Sequence, residues 1–276
     1  MEIGFMQGRL CDRVDGKIQA FPWLNWEKEF PLAQRLGIPL MEWTLDQERL
    51  YENPLMTAPG RQRIRELSSR YGVRILSLTG DCFMQAPFFK ASGAVREGLL
   101  RDLHAVVDAC VDLGLRYLLI PLVDNGSLTS ADEESALLEG LLPLHGVLTA
   151  AKLKIVFESD FEPERLAHFI ARFPEDAFGL NYDIGNSAAL GYSASAEIAS
   201  YGQRIDNVHV KDRVLGGTTV PLGTGNANFP EVFRALHAVG YAGDFILQTA
   251  RADADHAGAL DRYRAMTLAW WRDNES

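Results

Sequence analysis

The feature that most restricts how this chain can fold is its alternation of short apolar runs with longer amphipathic stretches, repeated eight times from one end to the other. The apolar runs occupy residues 3–7, 40–44, 73–79, 117–121, 155–158, 179–183, 207–210 and 245–248. They are too short for helices and read as strands buried on both faces. Helical periodicity runs through 26–36, 59–71, 94–113, 131–151, 163–173, 195–201, 229–239 and 256–272. Gly37, Gly72, Gly114 and Gly240 stand where four of these helices would stop, as a left-handed residue after a helix does. Strands joined through helices pair in parallel. Eight such units of about 30 residues each favour a closed (β/α)8 barrel over an open sheet. No Pro/Gly/Ser-rich linker interrupts the pattern, so a single α/β domain over residues 1–276 is predicted.

Composition narrows what such a domain can bind. The chain is 47% hydrophobic, enough for a full core. Its net charge of −10 and pI near 5.1 speak against nucleic acid and anionic membrane surfaces as partners. It has no apolar run of about 18 residues, the length that a membrane span needs. Residues 1–6 lack the basic segment and long apolar stretch of a secretory signal, and none is expected. Cys11, Cys82 and Cys110 are scattered and odd in number, without CxxC spacing. Reduced thiols in a cytoplasmic setting are the simplest reading, and a structural zinc cluster is not expected.

Four polar side chains stand at the ends of successive strand-like runs in the second half: Glu158, Asp183, His209 and Gln248. In a barrel, the C-terminal ends of the strands converge on one mouth. Taken singly, each has an ordinary structural explanation: a helix cap, a turn, a hydrogen-bonded core imidazole, a strand-end amide. Together they form a set of three oxygens and one nitrogen suited to a divalent ion, with Mn²⁺, Co²⁺, Fe²⁺ or Zn²⁺ favoured over Ca²⁺ by the imidazole. Such a site leaves room for two substrate oxygens, the carbonyl and adjacent hydroxyl of a sugar, and suits an enediolate.

The motifs Gly4-Phe5-Met6-Gln7-Gly8-Arg9-Leu10, Met41-Glu42-Trp43, Val156-Phe157-Glu158, Asp183-Ile184-Gly185-Asn186, Val208-His209-Val210-Lys211-Asp212-Arg213, Pro221-Leu222-Gly223-Thr224-Gly225 and Gly240-Tyr241-Ala242-Gly243 run through nearly the whole chain. In that order they resemble the sugar phosphate isomerase/epimerase family with the xylose isomerase-like TIM barrel. The resemblance implies a metal-dependent isomerase or epimerase acting beside a carbonyl, a carbohydrate substrate and a homo-oligomer. It places Glu158, Asp183 and His209 on metal ligands, with Mn²⁺ the expected ion and Co²⁺, Mg²⁺ or Zn²⁺ as alternatives. It also puts Gln248 where the epimerases carry a second metal-binding Glu, and Asn186 where the family often has His. Endonuclease IV shares this fold, but with six His and an acidic balance a DNA-repair reading is disfavoured.

Gln248 changes the chemistry, because a carboxamide offers an oxygen but takes no proton. Three readings stay open. Glu158 alone can shuttle a proton between adjacent carbons, as an aldose–ketose isomerase does. Glu42, Asp81 or Lys211 can supply a second acid/base for epimerisation or dehydration. Or the chain binds a sugar without chemistry. Glu158 and Lys211 are the expected catalytic pair. Gln7, Arg9, Glu42, Asp81, Asn186, Arg213 and Arg251 are expected to contact substrate. Trp23, Trp43, Phe83, Phe88 and Phe89 are candidates for an apolar wall, and residues 53–87 for lids.

Overall fold

A computed structural model of the chain describes residues 1–274. Among the described residues ten strands form: β1 (Ile3–Met6), β2 (Leu40–Thr44), β3 (Arg74–Thr79), β4 (Tyr117–Leu122), β5 (Lys154–Ser159), β6 (Phe178–Asp183), β7 (Ile205–Val210), β8 (Asp212–Arg213), β9 (Thr219–Val220) and β10 (Phe245–Leu247). The helices are α1 (Trp26–Leu36), α2 (Ala58–Tyr71), α3 (Asp81–Gln85), α4 (Gly93–Leu113), α5 (Ala131–Leu141), α6 (His145–Ala151), α7 (Pro163–Ile170), α8 (Ile184–Leu190), α9 (Ala194–Tyr201), α10 (Phe229–Ala238) and α11 (His256–Asp273). Eight strands close in the order β1-β10-β7-β6-β5-β4-β3-β2, which is a (β/α)8 TIM barrel. All eight ladders are parallel. β8 and β9 pair apart from the barrel as a short antiparallel hairpin.

The strands are short and apolar because helices cover one side and barrel side chains fill the other. Phe157 of β5 and Phe178 of β6 pack with Phe169 and Phe173, with neighbouring rings 5.0–6.3 Å apart. Each fully buried ring contributes about 1.5–3 kcal/mol. Gly4 is required where β1 meets β2, since a Cβ there would lie 2.7 Å from Leu40 Cβ. α11 seals the barrel over α10: the Trp270 and Phe229 rings stack at 4.1 Å, and Trp271 packs on His237 at 3.6 Å.

Gly37, Gly72 and Gly114 end α1, α2 and α4 in the left-handed conformation, as their positions predict. The helix expected over 131–151 is broken into α5, a 3-10 turn at Leu142–Leu144 and α6. Pro143 stands in that turn, and its missing N–H interrupts the helical ladder. Residues 53–87 are not a lid: they hold α2 and β3, elements of the barrel wall. α3, α8 and the β8–β9 hairpin have no counterpart in the predicted elements.

Candidate active site

Register brings the polar ends together. Asp183 on β6 pairs with His209 on β7, and Ile246 on β10 pairs with the same His209. Glu158 stands one residue before the end of β5, and Gln248 directly after β10. One ligand atom each from Glu158, Asp183 and His209 lies within 4.8 Å of the other two. His209 Nδ1 is 3.4 Å from Glu158 Oε2 and 3.9 Å from Asp183 Oδ2. It is buried and has no hydrogen-bond partner. Ligands at about 2.0–2.2 Å from a common ion stand roughly 3–4.4 Å from one another. The three residues therefore fit a divalent ion, and the unpartnered nitrogen points at the place it would take.

Glu42 backs the imidazole. Its Oε1 lies 2.7 Å from His209 Nε2 and also accepts from Thr79 Oγ1 at 2.6 Å, while Oε2 accepts from Asn207 Nδ2 at 3.1 Å. Burial alone would raise this carboxyl, but the imidazole charge and the Ser77 and Thr79 hydroxyls hold it below the ordinary value. Burial would likewise lower His209. The Glu42 charge, followed by contact with Glu158, pushes it instead up to about 10. Glu42 thus faces the imidazole from behind rather than a substrate. A carboxylate in this place fixes the ring and raises its basicity as a ligand.

Asn186 is the junction of the mouth. Its Nδ2 donates to Glu158 Oε1 at 2.6 Å, and its Oδ1 accepts from Lys211 Nζ at 3.0 Å and Arg213 Nη1 at 2.8 Å. Asp183 divides its oxygens: Oδ1 accepts the Asn186 backbone N–H at 2.8 Å, capping α8, and Oδ2 accepts from Lys211 Nζ at 3.0 Å. Lys211 also donates to Gln248 Oε1 at 3.2 Å. Gly185 makes room for this arrangement, since a Cβ there would lie 2.7 Å from Lys211 Cγ.

Asp81, Glu158, Asn186, Lys211, Arg213 and Gln248 share one cavity of about 480 Å³ at the mouth. Asp81 is buried with Oδ2 unpartnered. Burial, and then the charges of Asp46 and Glu158, raise its carboxyl well above the ordinary range. Gln7, Arg9 and Arg251 are outside the cavity wall. Gln7 is fully buried, and its Oε1 accepts from the Thr44 N–H at 3.1 Å. Arg9 donates to the Thr249 carbonyl and Gln19 Oε1, both at 2.9 Å. Arg251 donates to the carbonyls of Ile18 at 2.9 Å and Cys11 at 3.2 Å. These two arginines stitch the loop after β1 to the loop after β10. The aromatic wall does not form: Trp43, Phe83, Phe88 and Phe89 are at most 4% exposed, within the core. Trp23 is covered by the Arg49 guanidinium at 3.9 Å.

Sequence reasoning missed the amides that carry the carboxylates. Asn181 Nδ2 donates to Glu158 Oε2 at 2.9 Å, and Asn207 Nδ2 donates to Asn181 Oδ1 at 2.9 Å. The signal was present: Asn181 and Asp183, like Asn207 and His209, are two apart on one strand and face the same side.

A family model for the xylose isomerase-like TIM barrel matches residues 30–272. The L-ribulose-5-phosphate 3-epimerase UlaE of Salmonella heidelberg (strain SL476) is 25% identical over 246 residues, covering 85% of this chain and 85% of that protein. Among solved structures, D-psicose 3-epimerase from Clostridium cellulolyticum H10, bound to D-tagatose, aligns with a TM-score of 0.75 at 12% identity over 100% of both chains. The IOLI protein, solved with a zinc atom, aligns with a TM-score of 0.70 at 15% identity, covering 100% of this chain and 98% of that one.

Proposed function

The chain belongs to the xylose isomerase-like TIM barrel family, and from that premise we propose that it is a divalent-metal-dependent isomerase or epimerase of a sugar or sugar phosphate, moving a proton beside a carbonyl through an enediolate. The observation that carries this reading is the buried, unpartnered His209 Nδ1 facing Glu158 and Asp183. The relative UlaE, named for a ketose phosphate, and the structural neighbour bound to D-tagatose support a carbohydrate substrate.

Glu158, Asp183 and His209 would hold the ion, with Gln248 adding a neutral oxygen. Mn²⁺ is the expected occupant, and Co²⁺, Mg²⁺ or Zn²⁺ suit the same donors. When bound, the cation polarises the carbonyl and neighbouring hydroxyl of the sugar. Glu158 is the base that takes the carbon-bound proton, and Asn186 and Asn181 orient its two oxygens. The Lys211 ammonium, held by Asp183, Asn186 and Gln248, balances the charge that develops on substrate oxygen. Arg213 is aimed at the same space by Asn186.

One observation supports a source for the second proton. Gln248 cannot supply it, while the Asp81 carboxyl, whose proton affinity burial raises well above the ordinary range, lines the cavity with one oxygen unpartnered. Return of the proton by Glu158 to the adjacent carbon gives isomerisation. Donation by Asp81 at the other face gives epimerisation. Three buried free thiols suit a reducing, cytoplasmic setting. A homo-oligomer belongs to the same reading and is checked by sedimentation.

The test is metal content followed by sugar screening in D₂O. One ion per chain, lost in His209→Ala or Asp183→Ala, with solvent deuterium entering a sugar carbon, supports the proposal. An ion retained in both variants, or no exchange with any sugar, sinks it.

A further inference from the structure

A barrel enzyme that holds a phosphate usually does so with backbone N–H groups of the loops after the last strands and a nearby helix N-terminus. In this chain three such sets of groups are already occupied. Between β9 and α10, the N–H groups of Gly223 and Gly225 donate to Asp212 Oδ2 at 2.8 and 2.9 Å, and that of Ala227 to Oδ1 at 3.1 Å. Asp212 is fully buried, so its carboxylate fills the concavity that an anion would need. After β1, the N–H groups of Gly8 and Leu10 converge in the same way on Glu29 Oε1 at 2.9 and 3.0 Å. The N-terminus of α8 is closed by Asp183.

Most cationic groups near the mouth are paired as well. Arg9 and Arg251 stand behind the cavity wall and donate to Thr249, Gln19 and Ile18, while Arg251 Nη2, which meets no acceptor, lies against Gly8. Lys211 meets three acceptors, and Arg213 spans Asn186 and the Gly217 carbonyl at 2.8 and 2.7 Å. On the cavity wall these two cations face Asp124, Glu158 and Asp160. A phosphate dianion would meet carboxylates there, and the N–H cradles at Gly223–Ala227 and Gly8–Leu10 are filled by Asp212 and Glu29. Sugar hydroxyls, which donate, would find acceptors in plenty. A cavity of about 480 Å³ also suits a monosaccharide.

We infer that the substrate is an uncharged ketose or aldose and that its phosphate ester is excluded by the mouth. This rests on the reading of the site as a sugar isomerase or epimerase. The experiment compares free ketopentoses and ketohexoses with their phosphate esters in D₂O, on metal-loaded protein. The expected result is exchange into a free sugar, with kcat/KM for the matching ester lower by about a hundredfold, the size that uncompensated like charge imposes. Asp124→Asn should narrow that gap by relieving one charge. An ester that reacts as well as the free sugar overturns the inference. A second measurement does not need turnover: inorganic phosphate is titrated calorimetrically into the protein as purified. Absence of binding at millimolar concentration supports the closed mouth. Saturable binding that disappears in Arg213→Ala overturns it, whether or not any sugar exchanges. No exchange with either class, together with no phosphate binding, removes the isomerase reading while leaving the mouth anion-excluding.

Discussion

His209 Nε2 lies 2.7 Å from Glu42 Oε1, inside the barrel, while the opposite nitrogen of the ring meets no hydrogen-bond partner. A ring anchored on one side and open on the other is prepared to be a ligand. Glu42→Gln should therefore weaken metal binding by about 10–100-fold while leaving the fold intact. Calorimetric titration with Mn²⁺ checks this. An unchanged affinity would mean that Glu42 serves only the packing of the barrel interior.

Metal uptake should depend on pH with a definite sign. In the metal-free protein burial opposes protonation of His209, but Glu42 and Glu158 raise it to about 10. The ion must displace that proton, so apparent affinity should climb by about tenfold per pH unit through the neutral range and flatten near pH 10. The linked stability runs the other way. A base raised from 6.5 contributes stability that is full below about pH 6.5 and lost as pH rises through about 10. Metal titrations in buffers of different ionisation enthalpy would count the released proton. A count of zero would place the proton elsewhere.

Gln248→Glu supplies a charged oxygen beside Lys211 Nζ, which now lies 3.2 Å from the amide oxygen. Metal affinity should rise by roughly tenfold or more, because the site gains one negative charge. Solvent exchange at a second sugar carbon face should appear or accelerate. If affinity and exchange both stay at the level of the parent protein, Gln248 lies outside the metal site.

Glu29 is fully buried and holds the loop after β1 through Gly8 and Leu10. Glu29→Ala should cost about 2–4 kcal/mol, since it strands two buried N–H groups. Burial raises this carboxyl from 4.5 to about 7 against the pull of those N–H groups. The stability contributed by the protonated form is thus full below about pH 4.5 and lost as pH rises through about 7. Denaturant midpoints of Glu29→Gln should vary less over that window than those of the parent. Parallel pH curves would count against the assignment.

The barrel was legible because eight buried strands leave a strong apolar signal and glycines mark the helix ends. The four residues at the strand ends were legible because strand direction alone decides that they share a mouth. What stayed hidden depends on distance between loops. Arg9 and Arg251 look like anion ligands as residue types, yet their partners are carbonyls far away in sequence. Glu42 has the chemistry of a substrate contact, and only the closed barrel shows that it stands behind an imidazole contributed by β7. Pro143 stands in the sequence inside the stretch read as one helix, and its missing N–H is the signal of the break that the apolar periodicity alone does not carry. The aromatic residues after β3 turned inward because burying a ring outweighs displaying it to water.

Asp183 belongs to two constructions at once, since Oδ1 caps α8 and Oδ2 faces the cation position. Charge drawn toward one oxygen is withdrawn from the other. The first turn of α8 should loosen or tighten as the cation comes and goes, and the Asn186 amide proton, which the cap holds, should record each arrival in its exchange rate. Asn186 also touches Glu158, Lys211 and Arg213. Through these contacts the first turn of α8 ties one carboxylate oxygen to the base, the ammonium and the guanidinium, so an event at that oxygen should be felt at all three.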